Sequence, residues 1–152
     1  MDEKDTKKKK APKLAAPKTV QIKVTPKESE RILNEIFENN YAVIEFDLIP
    51  GKTKATLRNL SASDQIQVEN YMSTIEGSAA FVLHTYTVQV LAYTLLKYGD
   101  KEFTNTAEIE KFLADKPSIV LDKLIKIQNA FEQQIKAVLQ FEKINDHFLE
   151  IP

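Results

Sequence analysis

The first part of the chain alternates apolar and polar residues, a pattern typical of half-buried strands. The alternation is clearest over residues 41–58, where a turn at Pro50-Gly51 separates two such runs. Residues 20–24 show the same alternation and are a candidate third strand. Because an isolated two-stranded hairpin is only marginally stable in water, the pattern predicts a small antiparallel sheet.

Helical spacing governs most of the remaining sequence. Thr25 and Pro26 mark the start of a helix that precedes the hairpin. After residue 60, apolar residues recur at steps of three and four, which predicts a bundle of about four helices. Residues 79–98 are apolar nearly all round, which indicates a central buried helix or a subunit interface. The predicted fold class is therefore α+β, mainly α.

The last predicted helix carries a long apolar seam. Its apolar residues recur at steps of three and four and include Leu124, Phe131, Ile135 and Val138. A seam of this width can pack on the preceding apolar helix and also on another protein. These four side chains are therefore candidate partner-binding residues.

Charge divides the chain into two parts. Residues 1–27 hold nine lysines against three acidic residues, a net charge of +6, while the rest holds twelve basic against nineteen acidic residues, a net charge of −7. Residues 1–18 contain almost nothing apolar, and such a composition does not bury enough surface to offset the entropy of ordering. We expect a disordered basic arm over 1–18 and a single α+β domain over 19–152. Within that domain, 19–60 forms the strand, helix and hairpin, and 61–150 forms the helical part.

The densest charge of the arm is the run Lys7, Lys8, Lys9 and Lys10. It has two interpretations, a solvated solubility tail or an arm that docks on an acidic partner surface. Nucleic-acid binding is disfavoured, because no aromatic residue lies among these lysines to stack on bases and the acidic body would repel phosphates.

The sequence offers little material for catalysis. It has no cysteine, which excludes disulfides, thiolate metal sites and a cysteine nucleophile. Gly51, Gly77 and Gly99 stand singly, so no glycine-rich phosphate-binding loop is present. His84 and His147 lie far apart, and the apolar neighbours of His84 are typical of a core or interface histidine. We therefore predict a non-enzymatic protein with no metal and no cofactor.

Membrane insertion is not expected either. The longest apolar runs fall short of the ~20 residues that span a bilayer. The lysine-rich start is not followed by the apolar stretch of an export signal.

The junctions between the predicted elements carry short sequence motifs. Residues 56–64, TLRNLSASD, place a strand with leucine and arginine directly before a serine-capped helix. The apolar helix ends in Gly-Asp at 99–100, and LADKP at 113–117 leads to a helix that contains VLDKL at 120–124. Over roughly residues 55–140, this order resembles the tail assembly chaperones and related baseplate proteins of tailed bacteriophages.

The resemblance implies a structural or assembly protein of a phage tail or baseplate that acts by protein-protein recognition. Its partners would be other tail or baseplate proteins, or the tape-measure protein if it is a transient assembly chaperone. It would work within a multi-subunit assembly, located in the virion tail or in the host cytoplasm during assembly. The alternative from the residues alone is a cytoplasmic adaptor or regulator with a basic nucleic-acid-binding tail.

Overall fold

The computed structural model describes residues 25–145 of the 152-residue chain. The elements in chain order are α1 (Pro26–Asn39), β1 (Val43–Ile49), β2 (Thr53–Arg58), α2 (Ala62–Ser73), α3 (Ala79–Thr94), β3 (Leu95–Tyr98), β4 (Lys101–Glu102), α4 (Thr106–Ala114) and α5 (Ser118–Asn145). The strands form one antiparallel sheet in the order β1-β2-β3-β4. This architecture confirms the predicted α+β, mainly α class and the hairpin within residues 41–58. The predicted boundary at residue 18 lies outside the described residues.

Local capping chemistry sets the bounds of α1. The Thr25 hydroxyl accepts a hydrogen bond from the Glu28 backbone N–H at 3.2 Å, and Pro26 occupies the first helical position. At the other end, Asn40 adopts the left-handed conformation with φ 66° and donates its N–H to the Ile36 carbonyl. Asparagine tolerates this conformation better than most residues, so the sequence itself ends the helix here.

The second neighbour of β2 in the sheet comes from a segment that the sequence pattern predicted to be helical. Residues 20–24 lie outside the described residues, and the strand beside β2 is β3, which directly continues α3. Leu95 leaves the helix with extended backbone, ψ 114°, and pairs with Leu57. The prediction of one helix over 79–98 is therefore wrong at its end. An apolar run without a clear period does not distinguish helix from strand, and pairing with β2 supplies the hydrogen bonds that the last residues need.

The hydrophobic core has two clusters, and α5 contributes to both. The first cluster joins the sheet, α3, α4 and the first half of α5; its buried residues are Leu48, Ala55, Leu57, Leu91, Ala92, Leu95, Ile109, Leu113, Leu121 and Leu124. The second joins α1 to the later part of α5; its buried residues are Ile32, Ala42, Phe131, Ile135 and Val138. Since one helix serves both clusters, α5 holds α1 and the sheet region together.

Arg31 fastens α1 to the first residue of β1. Its guanidinium donates to Glu35 at 2.8 Å, to Glu28 at 3.1 Å and to the Val43 carbonyl at 3.1 Å. Glu35 in turn accepts the Val43 N–H at 2.9 Å. Burial lowers the pKa of Arg31, but its hydrogen bonds to Glu35 and Glu28 outweigh this and raise the pKa above its ordinary value. The guanidinium is therefore charged at neutral pH, as arginine ordinarily is.

Candidate partner-binding surface

The α2 helix is anchored where β2 ends. The Ser61 hydroxyl accepts the Asp64 N–H at 3.0 Å, and the Asp64 carboxylate accepts the Ser61 N–H at 3.3 Å, which completes a capping box. The same carboxylate oxygen lies 2.7 Å from the Arg58 guanidinium, and the two side chains are only 19% and 18% exposed. At this exposure solvent screens the ion pair less than it would on the open surface. The pair therefore fixes how α2 leaves the sheet.

From α5, two side chains brace the same junction. Gln128 is fully buried, and its amide nitrogen donates to the Arg58 carbonyl at 3.1 Å and to Glu132 at 3.0 Å. Both neighbours are acceptors, which fixes the orientation of the amide. The same Glu132 oxygen also accepts the Leu60 N–H at 2.6 Å. Sheet, α2 and α5 thus meet in one hydrogen-bonded joint. The joint supports the pair of helices α2 and α3 with their connection, which we call the α2–α3 hairpin.

We expect Asp64→Ala to destabilise the chain by about 1–3 kcal/mol, because the change removes half of the capping box and leaves Arg58 partly buried without its partner. The measurement is the free energy of unfolding in urea. The matched control is Glu45→Ala, which removes the exposed partner of Lys54 and should cost at most about 0.5 kcal/mol. Equal losses for both variants would contradict the anchoring role of Asp64.

The α3 helix is buried along its second half and exposed along its first. The buried positions are Thr87, Gln89, Val90, Leu91, Ala92 and Thr94. In the first half, Phe81 is 51% exposed, Leu83 66% and Tyr86 45%. The prediction of a central buried helix therefore holds for the second half only, and the first half presents large apolar side chains to solvent.

An apolar groove of about 450 Å³ lies between α2 and the exposed half of α3. We call it the α2–α3 groove. Its lining residues are Glu69, Met72, Ala79, Val82, Leu83 and Tyr86. The same two helices also expose Ile66, Tyr71 and Phe81. Soluble proteins seldom leave large apolar side chains grouped at the surface unless another molecule covers them. The groove is therefore the strongest candidate binding site among the described residues.

Acidic residues provide all the formal charge of the α2–α3 hairpin. Between Arg58 and Lys97 the chain contains Asp64, Glu69 and Glu76, but no lysine or arginine. Asp64 is neutralised by Arg58. No ion pair of Glu69 or Glu76 occurs within residues 25–139. Among the described residues, the surface around the groove thus combines apolar side chains with carboxylates that no lysine or arginine pairs with.

A second depression, of about 390 Å³, lies on the polar face of the sheet. Its charged lining residues are Glu45, Asp47, Asp100, Lys52, Lys54 and Lys97. The Lys54 ammonium lies 3.3 Å from the Glu45 carboxylate, and three lysines balance three carboxylates overall. Such a balanced surface favours neither an anion nor a cation, and we assign it to the solvated face of the sheet.

The described part of the chain contains no group of three or more acidic or histidine side chains placed to hold a metal ion. His84 lies on the exposed half of α3. Of the two interpretations of His84, the core histidine is therefore wrong, because no described element covers the end of α3 that carries it, whereas the interface histidine stays a prediction. His147 lies outside the described residues.

The predicted partner-binding residues do not come together at one surface. Lys7, Lys8, Lys9 and Lys10 lie outside the described residues. Leu124 is buried in the first core cluster, and the seam residues Phe131, Ile135 and Val138 are buried against α1 in the second. The proposal that these four seam residues bind a partner is corrected accordingly: the seam is as wide as expected, but the chain's own elements already cover it.

Sequence reasoning missed the α2–α3 groove, although a signal for it was present. The apolar character of residues 79–98 pointed to burial or to an interface without separating the two. The absence of lysine and arginine from 59–96 was the unused signal, because a fully solvated helical hairpin usually carries both signs of charge. Only the fold shows that these residues line one groove.

Searches for related proteins returned no match for this chain among family models, curated proteins or solved structures. Within residues 25–145, no helix has both the length and the apolar character that crossing a membrane requires.

Proposed function

We propose that the protein is a non-enzymatic structural or assembly protein of a bacteriophage tail or baseplate, and that it acts by protein-protein recognition. Two observations support the proposal. One is the sequence resemblance over roughly residues 55–140. The other, which carries the recognition part, is the exposed apolar α2–α3 groove held on a rigid joint.

Recognition suits the chemistry of the groove better than catalysis does. Five of its six lining residues are apolar or aromatic, and the remaining one is a single carboxylate, Glu69. A general acid-base or nucleophilic site needs a second group within hydrogen-bond reach of the first. The Glu69 carboxylate instead accepts a hydrogen bond from Gln65, one helical turn earlier, at 3.1 Å.

The rigidity of the support also favours a binding role. One wall of the groove is α2, the helix that the joint of Arg58, Gln128 and Glu132 anchors to the sheet, so the position of α2 is fixed before any partner arrives. A preorganised surface loses less entropy on binding than a mobile one. Such a surface fits a component that must dock repeatedly in one geometry, as a tail assembly requires.

The experiment is quantitative mass spectrometry of purified particles from the phage or prophage that encodes the chain, combined with complementation by variants. We expect the chain in the particles at a fixed ratio to other tail proteins. Leu83→Asp in the groove should block assembly of tails, whereas Ile119→Asp, at a more exposed apolar position of α5, should not.

The outcomes separate the alternatives. Absence from particles whose assembly nevertheless requires the gene would assign the protein as a transient chaperone of the tape-measure protein or tube. Particles that form normally without the chain would overturn the proposed function. Normal assembly with Leu83→Asp would remove the groove from it.

A further inference from the structure

We propose that the α2–α3 groove binds a basic amphipathic helix of a partner protein. The inference rests on the proposed function, because it names the chemistry of the partner that the recognition surface takes. It follows from the shape of the groove, from its charge and from the exclusion of two occupants that the chain itself could supply.

The walls of the groove call for a helix. Both walls are α-helices, whose backbone N–H and C=O groups are bonded within each helix and offer no edge on which a strand could pair. What they offer is a row of side chains that includes Met72, Val82 and Leu83. A third helix that presents apolar residues at steps of three and four fits between two such helices by ridges-into-grooves packing.

The charge of the groove calls for a basic partner. Glu69 lines the groove, and Glu76 lies in the connection between α2 and α3. No lysine or arginine occurs on the hairpin to balance them. Lysine or arginine side chains that flank the apolar stripe of an incoming helix would meet these carboxylates, whereas acidic ones would be repelled.

A second copy of this chain does not match the charge of the groove. In a two-fold dimer through the groove, the same patch of each copy would face the other. Glu69 and Glu76 of one copy would then face a patch that carries the same two carboxylates and no lysine or arginine of its hairpin to pair with them. The charge that attracts a basic helix therefore opposes self-association.

The basic arm of this chain does not match the apolar lining of the groove either. Residues 1–18 supply seven lysines, but their only large apolar side chains are Met1 and Leu14, which stand thirteen positions apart and form no apolar stripe. A groove with large apolar side chains gains little from a segment that cannot bury surface against them. The partner must carry both the basic charge and the apolar stripe, which excludes the run Lys7–Lys10 as the main occupant.

The test uses the full chain and synthetic peptides of about 16 residues, matched to the 16 residues of α3. One peptide has leucine at positions i, i+3, i+4 and i+7 with lysine elsewhere. A second keeps the leucines and replaces every lysine by glutamate. A third has the composition of the first with the leucines scattered around the helix. Fluorescence anisotropy measures the Kd of each.

We expect binding of the first peptide only, with an affinity that falls as salt rises. Leu83→Ser should weaken it about tenfold, and Glu69→Gln or Glu76→Gln about threefold each. Two matched controls should leave it unchanged: Ile119→Ser, an exposed apolar position on α5, and Glu102→Gln, an exposed carboxylate on β4.

Several results would overturn the inference: equal binding of the glutamate peptide, equal binding of the scattered peptide, or insensitivity to Leu83→Ser. Self-association of the chain that Leu83→Ser abolishes would also overturn it and assign the groove to a second copy. Leu83→Asp could block tail assembly while the double variant Glu69→Gln with Glu76→Gln has no effect on it. That result would reject a basic partner and leave the proposed function standing. If the first peptide binds as expected, but phage tails neither contain the chain nor need it for assembly, the proposed function is rejected. The inference about the groove then still stands.

Discussion

Replacing Leu91 with aspartate should unfold the chain. Leu91 is 0% exposed and packs in the first core cluster, where α3 meets the sheet, α4 and α5. A carboxylate at this position would be buried without a partner, at a cost of more than about 4 kcal/mol. Because the whole stability of such a domain is only about 5–15 kcal/mol, most of the cooperative thermal transition should be lost.

The same substitution on the same helix supplies the control. Leu83 is 66% exposed, so Leu83→Asp should change the free energy of unfolding by less than about 1 kcal/mol. Circular dichroism at increasing temperature measures both variants. If Leu91→Asp melts like the unmodified chain, the second half of α3 is not core. If Leu83→Asp unfolds the chain, the groove is not an exposed surface.

Phe131→Ala should destabilise the chain by about 3–5 kcal/mol. Phe131 is 1% exposed and is the largest buried side chain of the cluster that joins α1 to α5. Its removal leaves a cavity between two helices that the tightly packed neighbours cannot fill. Urea unfolding, followed by circular dichroism, gives the free energy directly.

Ile119→Ala is the matched control on the same helix, since Ile119 is 73% exposed and should cost less than about 0.5 kcal/mol. A small effect of Phe131→Ala on stability, together with a large effect on partner binding, would restore the seam of α5 as a docking surface. A large effect on stability would show that the seam closes the chain's own core.

Sequence patterns located helix starts well, because N-capping is a local interaction. The sequence predicts Thr25 as the start of α1 and a serine cap, Ser61 or Ser63, for α2; the structure has Thr25 and Ser61 in these roles, and Asn105 caps α4 in the same way. The chemistry of a cap involves residues at most three positions apart. Nothing from the rest of the fold is needed to read it.

The end of α3 could not be predicted in the same way. Whether Leu95–Tyr98 continues the helix depends on β2, which lies about 40 residues earlier in the chain and offers a free edge. Long-range strand pairing overrides local propensity, and the apolar run suits either structure. The fourth strand, Lys101–Glu102, follows only once β3 is known.

The α2–α3 groove could not be predicted from the sequence for a related reason. A helix that is apolar nearly all round predicts burial on every side, but burial requires neighbours, and the number of neighbours is a property of the whole fold. In α3, Val90 and Leu91 have enough neighbours to be buried, whereas the described elements leave Phe81 and Leu83 more than half exposed. Periodicity alone treats these four positions alike, so it cannot separate a core from a binding surface.

The absence of lysine and arginine from residues 59–96 also determines which reagents can detect a partner there. Trypsin has no cleavage site within residues 59–96, and amine-reactive cross-linkers have no lysine to modify on α2 or α3. A carbodiimide, which activates carboxylates, would instead couple Glu69 or Glu76 directly to a lysine of the bound partner. Trypsin digestion and amine-reactive cross-linking therefore cannot detect a partner at this surface. A zero-length cross-link can, and it forms only when a basic group lies against the carboxylates.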